Sequence, residues 1–200
     1  MQLTSTANEL RQFPGYLEKF TSWLAPVKNK SITDWTVDQL DIQPYQRILE
    51  IGYASGYTLQ EVARKLKIGF LAGIDESMIR YQQAYRRNKK LIRDQLLQLH
   101  IGDINELPYP HHYFHTIFAS RARFLQHELK SALLQLTNLL KSGGKLVVVF
   151  QPAGAVTEQQ VQQAAENIKR DYIYAGLTNI QIELRDMYPA TCIAVTGYKE

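Results

Sequence analysis

From residue 47 onward, short apolar runs alternate with stretches whose apolar residues recur at helical spacing, and this alternation constrains the fold more than any other feature. Residues 47–51 form a compact apolar run. Leu59, Val62, Ala63 and Leu66 then recur at i, i+3, i+4 and i+7, which is one face of a helix. Residues 70–74 read as a second strand, and Ser77 is a good N-cap for a helix reaching about Asn88. Residues 96–100 and 114–119 read as the third and fourth strands. A helix is expected over 129–140, with Leu133, Leu134, Leu136, Leu139 and Leu140 mostly on one side. Gly143 and Gly144 end it, and a fifth strand follows at 145–150. A helix over 157–174 and strands at 180–184 and 192–197 complete the pattern. Alternating strands and helices imply a parallel sheet covered on both faces. The loop through Pro189 is too short for a parallel crossover, so the last two strands should pair antiparallel. The expected fold is α/β: a doubly wound, mostly parallel seven-stranded sheet with an antiparallel C-terminal hairpin.

The segment before this pattern reads as helical. Tyr16, Phe20, Trp23 and Leu24 fall at helical spacing, Pro26 closes the segment, and residues 34–40 suggest a second short helix before a turn at Pro44. Residues 1–44 are therefore expected to form an N-terminal helical cap on a unit spanning 45–200. With 45% hydrophobic and 21% charged residues, the chain has an ordinary soluble balance. No run is long and apolar enough to span a bilayer, and no membrane partner is expected. The opening residues lack the basic patch and apolar run of a signal peptide, so a cytoplasmic location is expected. The single cysteine, Cys192, excludes an intramolecular disulfide and sits in an apolar run that predicts a buried thiol. A net charge of +4 is mild. Arg86, Arg87, Lys89, Lys90 and Arg93 read as a solvated face near a helix end rather than a nucleic-acid surface.

In a doubly wound sheet, ligands sit at the carboxyl ends of the strands near the point where strand order reverses. The first strand runs directly into Leu49-Glu50-Ile51-Gly52-Tyr53-Ala54-Ser55-Gly56. Its glycines allow a tight turn and close backbone approach to a ligand. A Gly-x-x-x-Gly alone is weak evidence. Asp75 ends the second strand, where a carboxylate can accept two hydrogen bonds from a ribose diol, or can simply favour the next helix's N-terminus. Asp103 ends the third strand, where it can accept from an adenine amine or cap its own turn. Gly52, Gly56 and Asp75 together favour a nucleoside ligand.

These residues, in this order, resemble the class I S-adenosylmethionine-dependent methyltransferases, nearest their ubiquinone-biosynthesis-like, small-molecule branch. Residues 49–56 resemble the family's first motif, and Gly73-Ile74-Asp75-Glu76-Ser77 its ribose-binding strand end. Residues 102–109 are similar to its adenine-side segment, and Leu140-Lys141-Ser142-Gly143-Gly144 to the turn before its fifth strand. The resemblance implies the Rossmann-like methyltransferase fold, S-adenosylmethionine as cofactor and a small-molecule methyl acceptor. It places Glu50, Gly52, Tyr53, Ala54 and Gly56 around the methionine part, Asp75 on the ribose, Glu76 and Ile104 beside the adenine, Asp103 on its amine, and Ala119 near the sulfonium. The chain departs from the family with Ala54 for a glycine, His115 for an aspartate and Ser142 for a proline.

Methyl transfer from a sulfonium is an in-line displacement with a neutral leaving group, so alignment matters more than acid catalysis. His127 is a conceivable base for a hydroxyl acceptor, though a helix-start role is the simpler reading. His111 and His112 read as a solvated turn, and His100 as a strand residue satisfied by packing. No metal is expected: metal-dependent relatives carry acids where this chain has Ala119-Ser120-Arg121, and the histidines lack ligand spacing. Tyr16, Arg121 and Phe124 are the candidate acceptor-binding residues. Two other readings stand beside this one. A nicotinamide-dependent oxidoreductase would want Gly-x-Gly-x-x-Gly, but counted from Gly52 the other two positions are Ala54 and Tyr57. A catalytically silent, methyltransferase-like binding protein is suggested by Ala54 and His115.

Overall fold

In the parallel part of the sheet, neighbouring residues of a strand enter opposite cores, as expected where helices cover both faces. In β1 (Arg47–Ile51), Ile48 packs into one core while Leu49 and Ile51 pack into the other. The computed structural model describes residues 30–120, 129–152, 157–188 and 190–200. The elements are α1 (Lys30–Gln39), β1, α2 (Tyr57–Ala63), β2 (Phe70–Asp75), α3 (Met78–Arg87), α4 (Lys89–Arg93) and β3 (Leu97–Ile101). A 3-10 turn (Ile104–Glu106), β4 (Phe114–Ser120), α5 (Leu129–Leu139), β5 (Leu140–Phe150), α6 (Glu158–Tyr174), β6 (Leu177–Arg185) and β7 (Cys192–Lys199) follow.

The seven strands lie in the order β3-β2-β1-β4-β5-β7-β6. The first five run parallel. β7 pairs antiparallel with both β5 and β6, which is the terminal hairpin expected from the short loop. One core joins Leu133, Leu136 and Leu139 of α5 and Val161, Ala165, Ile168 and Tyr172 of α6 to the sheet. The other joins Ile32, Trp35, Val37 and Leu40, in and just after α1, and Leu59, Val62 and Ala84 of α2 and α3. Cys192 is buried, and Leu134 lies outside the α5 stripe, 43% exposed. Thr157 caps α6, with Gln160 completing a capping box. Among the described residues no helix is long and apolar enough to cross a membrane.

Several details differ from the sequence expectation. β5 starts at Leu140 rather than 145, because Leu140 already pairs with Phe114 before the register shifts. Gly143 (φ 72) and Gly144 carry the chain through that irregularity instead of ending the helix in a loop; a Cβ on Gly144 would lie 2.8 Å from the Lys141 carbonyl oxygen. β6 begins at Leu177, directly after Gly176 (φ 81), and absorbs a bulge between Thr178 and Gln181. The basic segment after α3 forms a second short helix, α4.

Candidate cofactor site

β1 and β4 are neighbours although β2 and β3 lie between them in the chain, so strand order reverses between them, and the carboxyl ends there are where doubly wound sheets form a ligand crevice. Two side chains join the strands there. The Ser120 hydroxyl at the end of β4 donates to Glu50 Oε1 at 3.1 Å, and Glu50 is buried.

The loop leaving β1 turns through three left-handed residues, Gly52 (φ 74), Ala54 (φ 49) and Gly56 (φ 71). The Gly52 N–H donates to the Ile74 carbonyl at 2.7 Å, and the Gly56 N–H to the Tyr53 carbonyl at 2.8 Å. A Cβ on Gly56 would stand 2.6 Å from Asn88 Nδ2 and 2.8 Å from the Ala84 Cβ. Asn88 is the buried C-cap of α3, and its amide donates to the Gly56 carbonyl at 2.9 Å and the Ala84 carbonyl at 3.0 Å. Sequence reasoning missed this tie. Asparagine at a helix end was a visible signal, but nothing in its spacing shows that the amide reaches Gly56.

Ala54 is exposed, so its methyl packs against nothing that compensates for the left-handed backbone. That conformation costs a non-glycine residue about 1 kcal/mol. Ala54→Gly is therefore expected to raise stability by up to about 1 kcal/mol, partly offset by the entropy of an unfolded glycine. A urea midpoint that rises with an unchanged slope is the sign of it; a lower midpoint contradicts it.

Asp75 at the end of β2 is held by the main chain. Its Oδ2 accepts the Ala54 N–H and its Oδ1 the Ser77 N–H, both at 3.0 Å. Arg80 Nη1 lies 3.6 Å from Oδ2. A carboxylate offers about four acceptor positions, so these two hydrogen bonds leave room for two more.

Tyr53 contributes its backbone to the loop but its ring to the core. The ring is buried on Gly73, where a Cβ would lie 2.8 Å from Tyr53 Cδ1, and the hydroxyl donates to the His100 carbonyl at 3.0 Å. Burial, with the Asp75 charge and Tyr81 nearby, pushes the phenol well above its usual range and keeps it protonated. Ala119 is likewise buried in the core on the α5–α6 side.

Glu76 and Asp103 are exposed, and Ile104 is half-buried. Asp103 caps the 3-10 turn: its Oδ1 accepts the Asn105 N–H at 2.8 Å and the Asn105 amide at 2.7 Å. Met78, Ile79 and Ile101, exposed by 56%, 70% and 39%, follow the carboxyl ends of β2 and β3 or lie at them. Tyr16, Arg121, Phe124 and His127 lie outside the described residues.

The remaining histidines are away from the crevice loop or occupied. His100 Nε2 is 2.7 Å from the Tyr109 hydroxyl, and burial lowers the ring's pKa. His111 and His112 are exposed in a turn. His115 stands at the opposite, amino-terminal end of the strands, where its Nδ1 accepts the Arg47 N–H at 3.0 Å. The residue that departs from the family there does a backbone-satisfying job far from the crevice.

A methyltransferase-domain family model matches residues 48–144. The uncharacterized methyltransferase YdaC of Bacillus subtilis is 25% identical over 178 residues, covering 88% of this chain and 96% of that protein. The crystal structure of a SAM-dependent methyltransferase from Aquifex aeolicus superposes with a TM-score of 0.63 at 16% identity, covering 82% of this chain and 88% of that one. Phosphoethanolamine N-methyltransferase 2 of Haemonchus contortus, solved with phosphomonomethylethanolamine and S-adenosylhomocysteine, gives 0.69 at 14% identity over 85% of this chain and 52% of that one. At such identities the structural likeness speaks for the fold alone. The family model spans the motif loop, both acid-bearing strand ends and the Gly143-Gly144 segment, and the curated relative extends over nearly the whole chain. Residues 48–144 thus match a methyltransferase domain, and the fold is that of S-adenosylmethionine-dependent methyltransferases.

Proposed function

We propose that the crevice at the carboxyl ends of β1, β2 and β4 binds S-adenosylmethionine, and that the chain transfers its methyl group to a small-molecule acceptor without a metal. The observation that carries this reading is Asp75. Its carboxylate is fixed by one N–H from the motif loop and one from the start of the next helix, with acceptor positions left over for a ribose diol. The exposed Met78, Ile79 and Ile101 supply apolar surface fit for an adenine face, and Asp103 retains Oδ2 without a hydrogen-bond partner among the described residues.

In this reading Asp75 holds the ribose, Glu76, Ile104 and Asp103 border the adenine, and the backbone of residues 50–56 takes the methionine part. Ala119, buried near the end of β4, underlies the sulfonium rather than touching it. The bound cofactor supplies an electrophilic methyl on a positively charged sulfur. What the protein adds is alignment of the acceptor with that methyl. Tyr16, Arg121 and Phe124 are proposed to hold the acceptor, with an arginine suited to an anionic one.

Calorimetry with S-adenosylmethionine and S-adenosylhomocysteine tests the cofactor. Saturable binding of both is expected, and no binding of either at millimolar concentration overturns the proposal. A labelled-methyl screen over small acceptors reads turnover. A chain that binds cofactor yet methylates nothing fits the silent reading. Against that reading, Ala54 already adopts the backbone of the glycine it replaces, and His115 lies at the other end of the sheet.

A further inference from the structure

The amino-terminal end of the sheet carries a cavity that the methyl-transfer chemistry does not use. It has a volume of about 300 Å³ and is lined by Tyr45, Arg47, Ile68, Gly69, Phe70 and His115. Its polar side chains are donors, and none of the lining residues is acidic. Arg47 uses Nε on the Tyr113 carbonyl at 2.8 Å and rests its guanidinium 4.4 Å from the Tyr113 ring centre. Those contacts hold the planar group still while leaving the two terminal nitrogens with no acid partner among the described residues. His115 Nδ1 accepts the Arg47 N–H, so that nitrogen is unprotonated and the neutral ring carries its proton on Nε2. Tyr45 stands edge-on to the same imidazole at 6.1 Å, 58% exposed. Two donors are thus fixed by the backbone and a third adjoins them, with no carboxylate supplied by the cavity's own lining.

We infer that this cavity binds a small oxyanion, a phosphate or a carboxylate, between Arg47, His115 and Tyr45. The guanidinium is the main anchor, since a fixed fork can meet two oxygens at once. The His115 Nε2–H and the Tyr45 hydroxyl donate to the remaining oxygens, and Ile68 and Phe70 form the apolar rim. The charges of Arg47 and Lys141 add to burial in lowering the His115 pKa, consistent with a positive potential that an anion relieves.

The test uses the full chain, isotopically labelled and followed by NMR. It is titrated with inorganic phosphate in one arm and benzoate in the other, at constant ionic strength. Saturable shifts at Arg47, His115 and Tyr45 are expected in at least one arm, with the His115 titration midpoint rising on binding; the arm that saturates identifies the oxyanion. Arg47→Lys keeps the charge but loses the fork, and is expected to weaken binding roughly tenfold. His115→Asn keeps an acceptor for the Arg47 N–H but removes the Nε2 donor, and is expected to weaken it by about threefold or more. Absence of saturation in both arms overturns the inference. So does equal saturation in wild type and both variants. Cofactor affinity at the opposite end of the sheet is read separately and bears on neither outcome.

Discussion

Replacing Asp75 with alanine is expected to weaken S-adenosylhomocysteine binding by roughly 10- to 100-fold, the range for losing hydrogen bonds to a charged group. Two effects combine. On the proposed reading, the ribose hydroxyls lose their acceptor. The Ala54 and Ser77 N–H groups also lose theirs, so the motif loop and the start of α3 are no longer joined through one carboxylate. The second effect should lower stability by about 1–2 kcal/mol, because both donors sit beside a nearly buried side chain. Asp75→Asn separates the two. Its remaining oxygen can serve one main-chain donor, while its amide meets the other donor with a donor of its own. Calorimetry and urea unfolding on the same samples read both effects. Affinity unchanged in Asp75→Ala removes the ribose role whatever happens to stability.

The largest expected loss of stability belongs to Gly56→Ala. The added methyl would sit 2.6 Å from Asn88 Nδ2 and 2.8 Å from the Ala84 Cβ, at a φ of 71 that L side chains rarely adopt. Strain at such a backbone costs about 1–3 kcal/mol, and forcing atoms into a packed contact adds a comparable amount, so a total of about 2–5 kcal/mol is expected. The neighbours have little room to yield. Ala84 is fully buried, and Asn88 is held by its own bonds to the Gly56 and Ala84 carbonyls. Asn88→Ala in the Gly56→Ala background removes one collision but neither the other nor the strained dihedral, so only part of the loss should return. A single variant that unfolds within about 0.5 kcal/mol of wild type shows that the loop has another way to relax.

The sheet could be read from the sequence because its signals are local. Apolar runs, helical periods and the short connection through Pro189 each report on a few neighbouring residues, and the mostly parallel sheet and terminal hairpin follow from topological rules. Errors fell where two segments interact. The early start of β5 depends on Leu140 meeting Phe114, residues 26 positions apart, across two glycines that in isolation resemble a helix stop. The same holds for the site. Gly52, Gly56 and Asp75 stand together as their spacing suggested. What the pattern did not reveal was how the group is held: Asn88 reaching Gly56, the Tyr53 ring under the loop, and Asp75 already engaged by main-chain donors. Asp103 shows the limit most plainly: its turn-capping contacts through Oδ1 are local, and they leave the adenine role proposed from the family to be tested separately.

Tyr53 resting on Gly73 has an evolutionary consequence. A loop residue at the mouth of the crevice fills a space that exists only because the facing position on β2 has no side chain. The two positions are therefore not free to vary independently. A lineage that acquires a larger residue at 73 must first, or at once, shrink the residue at 53. One that shrinks 53 alone leaves a void beneath the motif loop. Across descendants of this chain, the aromatic at 53 and the glycine at 73 should be inherited as a pair.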